Sequence, residues 1–126
     1  MAIIVAAAVI ERDGALLVTR RRAGTHLEGL WEFPGGKCEP GETVRACLSR
    51  EIREELAVDA APGETVLVTT HVYPEKTVEL HFISCTLAGE PVPQQGQEMR
   101  WIERARLDTL RFPEADAALI ALLRRP

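Results

Sequence analysis

From Thr43 to Ala57 the chain reads as one helix whose glutamates fall where a surface helix would not place them. Thr43 is a suitable N-cap, and few breakers interrupt the segment. With successive residues turned by about 100°, Val44, Cys47, Leu48 and Ile52 share an apolar, core-facing sector. Glu51 and Glu55 fall inside that sector and Glu54 at its edge, while Arg45, Ser49, Arg50 and Arg53 take the remaining circumference. An acidic run is ordinarily a solvated face laced with i, i+4 pairs. Here the periodicity opposes that reading. Two carboxylates about 4 Å apart repel by roughly 4 kcal/mol at an effective dielectric of about 20, and turning them inward adds a desolvation cost. A hard, oxygen-seeking cation such as Mg²⁺, with Mn²⁺ as a substitute, relieves both penalties.

The rest of the chain predicts strands around this helix. Ile3 to Ile10 and Ala15 to Thr19 are aliphatic runs separated by Asp13-Gly14, a hairpin signal. A polar loop follows, entered through Arg20-Arg21-Arg22 and left through Trp31-Glu32-Phe33, and Pro34-Gly35-Gly36 marks a sharp backbone feature. Thr65 to Val72 and Thr77 to Leu87 predict two strands joined at Tyr73-Pro74-Glu75-Lys76, with a short strand around Met99 to Ile102. Ala115 to Arg124 closes the chain as an amphipathic helix. The mixture predicts an α/β architecture with a mixed sheet, folded as a single domain over residues 1–126.

Composition narrows the functional classes. The net charge is −4, which recommends no polymeric nucleic acid as a partner. An acidic chain acting on an anionic substrate needs a local source of positive charge, and a bound metal is the obvious candidate. No apolar run approaches the roughly 20 residues needed to cross a bilayer. The run Ile3 to Ile10 leads straight into Glu11-Arg12-Asp13-Gly14, as a strand entering a turn does and a signal peptide does not. Cys38, Cys47 and Cys85 are odd in number and lack metal-ligand or redox spacing, so the expectation is reduced thiols in a cytoplasmic protein.

Gly36, Glu42, Arg50-Glu51, Ile52, Glu54-Glu55 and Val58 stand at the spacing G-x5-E-x7-R-E-U-x-E-E-x-G-U, where U is aliphatic. The segment resembles the Nudix box and misses it only at Ala57, where that family usually has Gly. At a helix C-terminus Gly relaxes the turn, so the replacement costs a little local stability and affects no metal ligand. Trp31 to Lys37, the arginines after the second strand and Phe112 to Asp116 further resemble the MutT branch. The resemblance implies the Nudix fold, an α/β/α sandwich with a mixed β-sheet. It also implies water attack on a phosphorus of a nucleoside triphosphate, giving the monophosphate and pyrophosphate.

Carried over position by position, the resemblance makes the Gly35 carbonyl, Glu51, Glu54 and Glu55 metal ligands. Glu51 or Glu54 would also handle the proton of the attacking water, and Arg50 would orient the glutamates. Glu42 would bind a metal through water or support the loop. Lys37 either contacts phosphate or is a solvated loop lysine. The family tends to supply a further carboxylate six residues before a Trp; that position here is Gln95, and Glu98 is the nearby substitute. Arg21 and Phe33 match substrate-lining positions, and Phe33 either stacks on a base or packs in the core. Asp116 occupies a base-reading position, where it accepts from a purine edge, donates if burial keeps it protonated, or caps the last helix. His26, His71 and His81 receive no catalytic role.

The function this reading favours is a Mg²⁺-dependent pyrophosphohydrolase for 8-oxo-dGTP or dGTP, sanitising the nucleotide pool as a monomer or homodimer. A relative acting on CTP, other nucleoside triphosphates or ADP-ribose is the alternative. A non-catalytic recognition module is disfavoured, because such modules lose box glutamates that are all present here.

Overall fold

A computed structural model describes residues 2–125. In chain order the elements are β1 (Ala2–Arg12), β2 (Ala15–Arg20), β3 (Trp31–Glu32), β4 (Gly35–Lys37), α1 (Val44–Leu56), β5 (Ala60–Val72), β6 (Thr77–Leu87), β7 (Glu98–Glu103) and α2 (Ala117–Leu123). Two 3₁₀ segments, Arg104–Thr109 and Glu114–Asp116, connect β7 to α2. The strands form a seven-stranded sheet with the path β3-β2-β1-β6-β5; β4 pairs with β1, and β7 with β2. β1 runs parallel to β6 from Ala2↔Thr77 to Ile10↔Cys85, whereas the other pairings are antiparallel. The sheet is therefore mixed.

β1 explains why the fold has two layers of core. Its residues alternate between faces, so Ala6, Ala8 and Ile10 meet Leu48, Ile52 and Leu56 of α1. Ala7 and Val9 face the opposite way, toward Leu107, Leu119 and Leu123. A strand buried on both faces reads as a continuous apolar run, which is what Ile3 to Ile10 is. One helix on each face gives the α/β/α sandwich. Asp13 (φ 53°) and Gly14 (φ 80°) turn β1 into β2 with two consecutive left-handed residues, the twist that a tight hairpin favours.

Several boundaries differ from the sequence reading. β5 begins at Ala60, five residues before the Thr65 start, because irregular pairing around Pro62 and Thr65 lets the strand continue past residues that usually break one. The last helix is shorter than Ala115 to Arg124, because Glu114–Asp116 closes a 3₁₀ turn first. β3 and β4 are too short to carry a periodic signature. Among the described residues, no helix is long and apolar enough to cross a membrane.

The cysteine expectation is corrected. Cys38 and Cys47 form a disulfide across nine residues of sequence, joining the end of β4 to the first turns of α1, and Cys85 is left free and buried. Spacing alone did not show the pair, because the strand-to-helix loop folds back on itself to bring the two together.

Candidate active site

α1 supplies the acidic groups. The Thr43 side chain accepts from the Ala46 N–H and starts the helix, and Cys47, Leu48, Ile52 and Leu56 anchor it on the sheet. This stripe leaves Glu51 and Glu55 along its flank, facing the Gly35-Gly36 backbone of β4. The Glu51 side chain is 15% exposed and the Glu54 side chain 56% exposed. Glu54 is thus further out than the inward-facing expectation put it. Its carboxylate stays tied to the group through Arg50, 3.3 Å away.

The two glycines of β4 make this approach possible. A Cβ on Gly36 would overlap the Glu51 carboxyl group, with Oε1 2.8 Å away. A Cβ on Gly35 (φ +155°) would strike the Ala6 carbonyl oxygen and stand 2.8 Å from the Ala7 Cα. Without side chains there, β4 lies flat against β1, and the Gly35 N–H donates to Glu55 Oε1 at 3.2 Å.

Arg50 organises the charges. Its Nε and Nη2 donate to the two Glu42 oxygens at 2.7 and 2.9 Å, and its Nη1 donates to Glu51 Oε1 at 2.9 Å. Nη2 also reaches the Lys37 carbonyl at 3.2 Å. Glu42 in turn accepts from the Glu39 N–H at 2.9 Å. These bonds hold the Glu42 carboxyl down at about 2 and push the Arg50 guanidinium further up.

Glu55 is in the opposite situation. Burial, followed by the charges of Glu32 and Glu51, pushes its carboxyl up to about 8 against the Gly35 hydrogen bond. Burial also raises Glu51, opposed by Arg50. Glu32 is raised by burial despite an ion pair with Arg21 at 2.9 Å. Three partly buried acids face one another with too little positive charge to balance them, and every donor is an oxygen. That set suits a hard divalent cation, and the missing side chain at Gly36 lets the Glu51 carboxyl group lie against β4. Among the described residues, the one tight cluster of ligand-type atoms is Cys38, Glu42 and Cys47. Its two sulfurs are bonded to each other, so it is no metal site in this state.

A cavity of about 360 Å³ opens beside Glu55, lined by Arg21, Glu32, Phe33, Gly35, Gly36, Lys37 and Asp116 among others. Of the residues expected to bind substrate, all four line it. Phe33 forms wall: the residue is 4% exposed, its ring stacked on Phe112 (centroids 5.4 Å apart) and edge-on to Phe82 (6.2 Å). Asp116, 7% exposed, makes no capping bond to α2. Burial and the charge of Glu32 push its carboxyl up to about 7.

Glu98 is not brought to the acidic group. It opens β7 opposite Arg20, and its carboxylate is engaged by Arg20 (3.5 Å) and Arg100 (3.4 Å). Gln95 and Gln97 line a second polar cavity of about 140 Å³ beside Glu55, Glu32 and Arg20 to Arg22. Gln97 donates to the Glu55 carbonyl at 3.2 Å and accepts from the Gln95 N–H at 2.8 Å, pinning this loop to α1. Glu32 is the residue that the sequence reading missed. The only available signal was a carboxylate set between Trp31 and Phe33, two aromatics that both belong in the core.

A model of the NUDIX domain matches residues 5–122. The chain belongs to the Nudix family. This Nudix hydrolase is 38% identical over 118 residues to the 8-oxo-dGTP diphosphatase of Haemophilus influenzae, covering 92% of the chain and 87% of that protein. It is 47% identical over 77 residues to the CTP pyrophosphohydrolase of Escherichia coli, covering 61% of the chain and 57% of that protein. The solution structure of the E. coli ORF135 protein superposes with a TM-score of 0.86 at 36% identity, covering 95% of this chain and 86% of that one. The Nudix box noted in the sequence thus sits within a fold whose relatives hydrolyse nucleotides by name.

Proposed function

We propose that this Nudix hydrolase is a Mg²⁺-dependent pyrophosphohydrolase of purine nucleoside triphosphates, 8-oxo-dGTP or dGTP foremost. The observation that carries this reading is one cavity reaching from Glu55 on α1 to the buried Asp116 before α2, with Glu32 between them in charge range of both. One end suits a cation and phosphates, and the other presents acids to the edge of a base. With a carboxyl near 7, Asp116 is present in both protonation states around neutrality, accepting from ring N–H groups when ionised and donating when neutral.

Glu51, Glu54, Glu55 and the Gly35 carbonyl would hold the cation. When bound, it neutralises phosphate oxygens and acidifies a water for attack. Glu51 or Glu54 accepts the water's proton. Arg50 keeps Glu51 and Glu54 oriented through its bonds to Glu42. Arg21, paired with Glu32, and Lys37, exposed at the cavity rim, offer positive charge to the phosphate chain. Phe33, backed by Phe112 and Phe82, forms the floor under the base. Glu98 stays with Arg20 and Arg100, so we assign it no proton transfer. We further propose a cytoplasmic setting, because nucleoside triphosphates are used there. CTP hydrolysis is the second reading, favoured by the 47% identity to a CTP pyrophosphohydrolase over the better part of the chain.

The test is pyrophosphate release with Mg²⁺ from 8-oxo-dGTP, dGTP, CTP and ADP-ribose, with Glu54→Gln alongside. The expected result is highest kcat/KM on 8-oxo-dGTP, with pyrophosphate as product and loss of at least about 100-fold in Glu54→Gln without unfolding. Preference for CTP would select the second reading. Preference for ADP-ribose, or release from none, would overturn both.

A further inference from the structure

Nothing in the proposed reaction uses the disulfide, yet it closes the loop that carries Glu42. Cys38 follows Lys37 of β4 directly, and Cys47 sits in α1 one helical turn before Glu51. Between them lie Glu39 and Glu42, and Glu42 takes two hydrogen bonds from Arg50, whose remaining arm holds Glu51. The loop therefore has two fastenings, one covalent through sulfur and one ionic through Arg50, and both end beside the acidic group.

We infer that Cys38–Cys47 is a reversible thiol-oxidation site whose state sets how firmly Glu42 and Arg50 position Glu51. The two sulfurs differ in access: Cys47 is fully buried, whereas Cys38 is partly exposed. A thiolate of an external dithiol meets the Cys38 sulfur, forms a mixed disulfide there and expels Cys47 as thiolate. The second thiol of the reagent then attacks its own sulfur in the mixed disulfide and releases Cys38. The reagent's two protons end on Cys38 and Cys47, its two electrons have reduced the bond, and it leaves as a cyclic disulfide. The freed Cys47 thiol has the Gly36 carbonyl 3.7 Å away as an acceptor. Oxidation by a low-molecular-weight disulfide runs the same steps backward. In the reduced state hydrogen bonds alone fasten the loop, chiefly those of Arg50 to Glu42 and to the Lys37 carbonyl, and solvent competes for them.

This inference rests on the proposed hydrolysis only for its activity readout; thiol counts and melting are independent of it. Oxidised and dithiothreitol-reduced protein are compared with Cys38→Ser and, as a control, Cys85→Ser. Under denaturing conditions the oxidised protein should show one reactive thiol, Cys85, and the reduced protein all three. Reduction should lower Tm by about 5–10 °C, the effect of reopening a short loop. It should also lower kcat about three- to tenfold and raise the Mg²⁺ concentration for half-maximal rate, with KM for nucleotide little changed. Cys38→Ser should match reduced wild type and no longer respond to dithiothreitol, while Cys85→Ser keeps the response. Three reactive thiols in the oxidised protein would overturn the site. A Tm response without any change in kcat or Mg²⁺ dependence would overturn its link to Glu51. Should wild type release no pyrophosphate in either state while thiol count and Tm shift as stated, the proposed hydrolysis fails and the oxidation site stands.

Discussion

Asp116 shows how one buried side chain makes both specificity and stability depend on pH. Its carboxyl lies near 7, above the ordinary 3.8, chiefly through burial. The folded state therefore favours the protonated form. The resulting stabilisation is full below the unfolded value near 4 and is lost as pH rises through about 7. Asp116 alone should make wild type weaker at pH 8 than at pH 5 in urea unfolding by on the order of 3 kcal/mol, and Glu55 adds to the difference with the same sign. Asp116→Asn, which cannot titrate, should reduce the wild-type difference by about that share and leave the part carried by Glu55. An Asn variant retaining the full slope would show that other groups, Glu32 and Glu55 first, carry it. Position was legible in the sequence for Asp116, but burial was not, because it follows from packing between Pro113, α2 and the sheet. Glu32 was hidden for the same reason: its effect on Glu55 and Asp116 arises only once β3 lies beside α1. Glu98 shows the converse: near Gln95 in sequence, it opens β7 and its carboxylate pairs with Arg20 and Arg100.

At the scale of the element, α1 was the most legible part of the molecule. Its N-cap, its core stripe and its glutamates all follow from local rules, and its boundaries differ from the sequence reading only by the two capping residues. The departure from the family pattern at Ala57 is a strain made visible: Ala57 sits at φ 52°, ψ 40°, with its N–H bonded to the Arg53 carbonyl. A side chain in that left-handed conformation costs about 1 kcal/mol relative to Gly. Ala57→Gly should therefore raise stability by about 0.5–1 kcal/mol in chemical denaturation, leaving the carboxylates in place and kcat unchanged. A fall in stability would mean that the entropy of Gly in the unfolded chain outweighs the relief. The β4–α1 loop was less legible, since Cys38–Cys47 and the Arg50–Glu42 bonds both depend on a fold-back that no periodicity records.

For the whole molecule, β1 determines how the sandwich responds to damage. The strand sends alternate side chains into two separate cores, so neither helix layer has a strand system of its own. The hydrophobic run at Ile3 to Ile10 already implied burial on both faces; which helix covers which face required the parallel β1–β6 pairing, a contact between distant segments. Leu48 on α1 and Leu119 on α2 are each fully buried on opposite sides of the sheet. Leu48→Ala and Leu119→Ala should each lower stability by about 2–5 kcal/mol, the transfer loss plus a residual cavity. With the sheet between them and no shared partner side chain required, the double variant should approach the sum within about 0.5 kcal/mol. Because both layers rest on the same strands, unfolding should remain a single transition by tryptophan fluorescence, reporting Trp31 and Trp101, and by far-ultraviolet dichroism. Two separated transitions in either single variant would mean that one helix layer melts alone, and β1 would then not couple the acidic helix to the Asp116 side of the molecule.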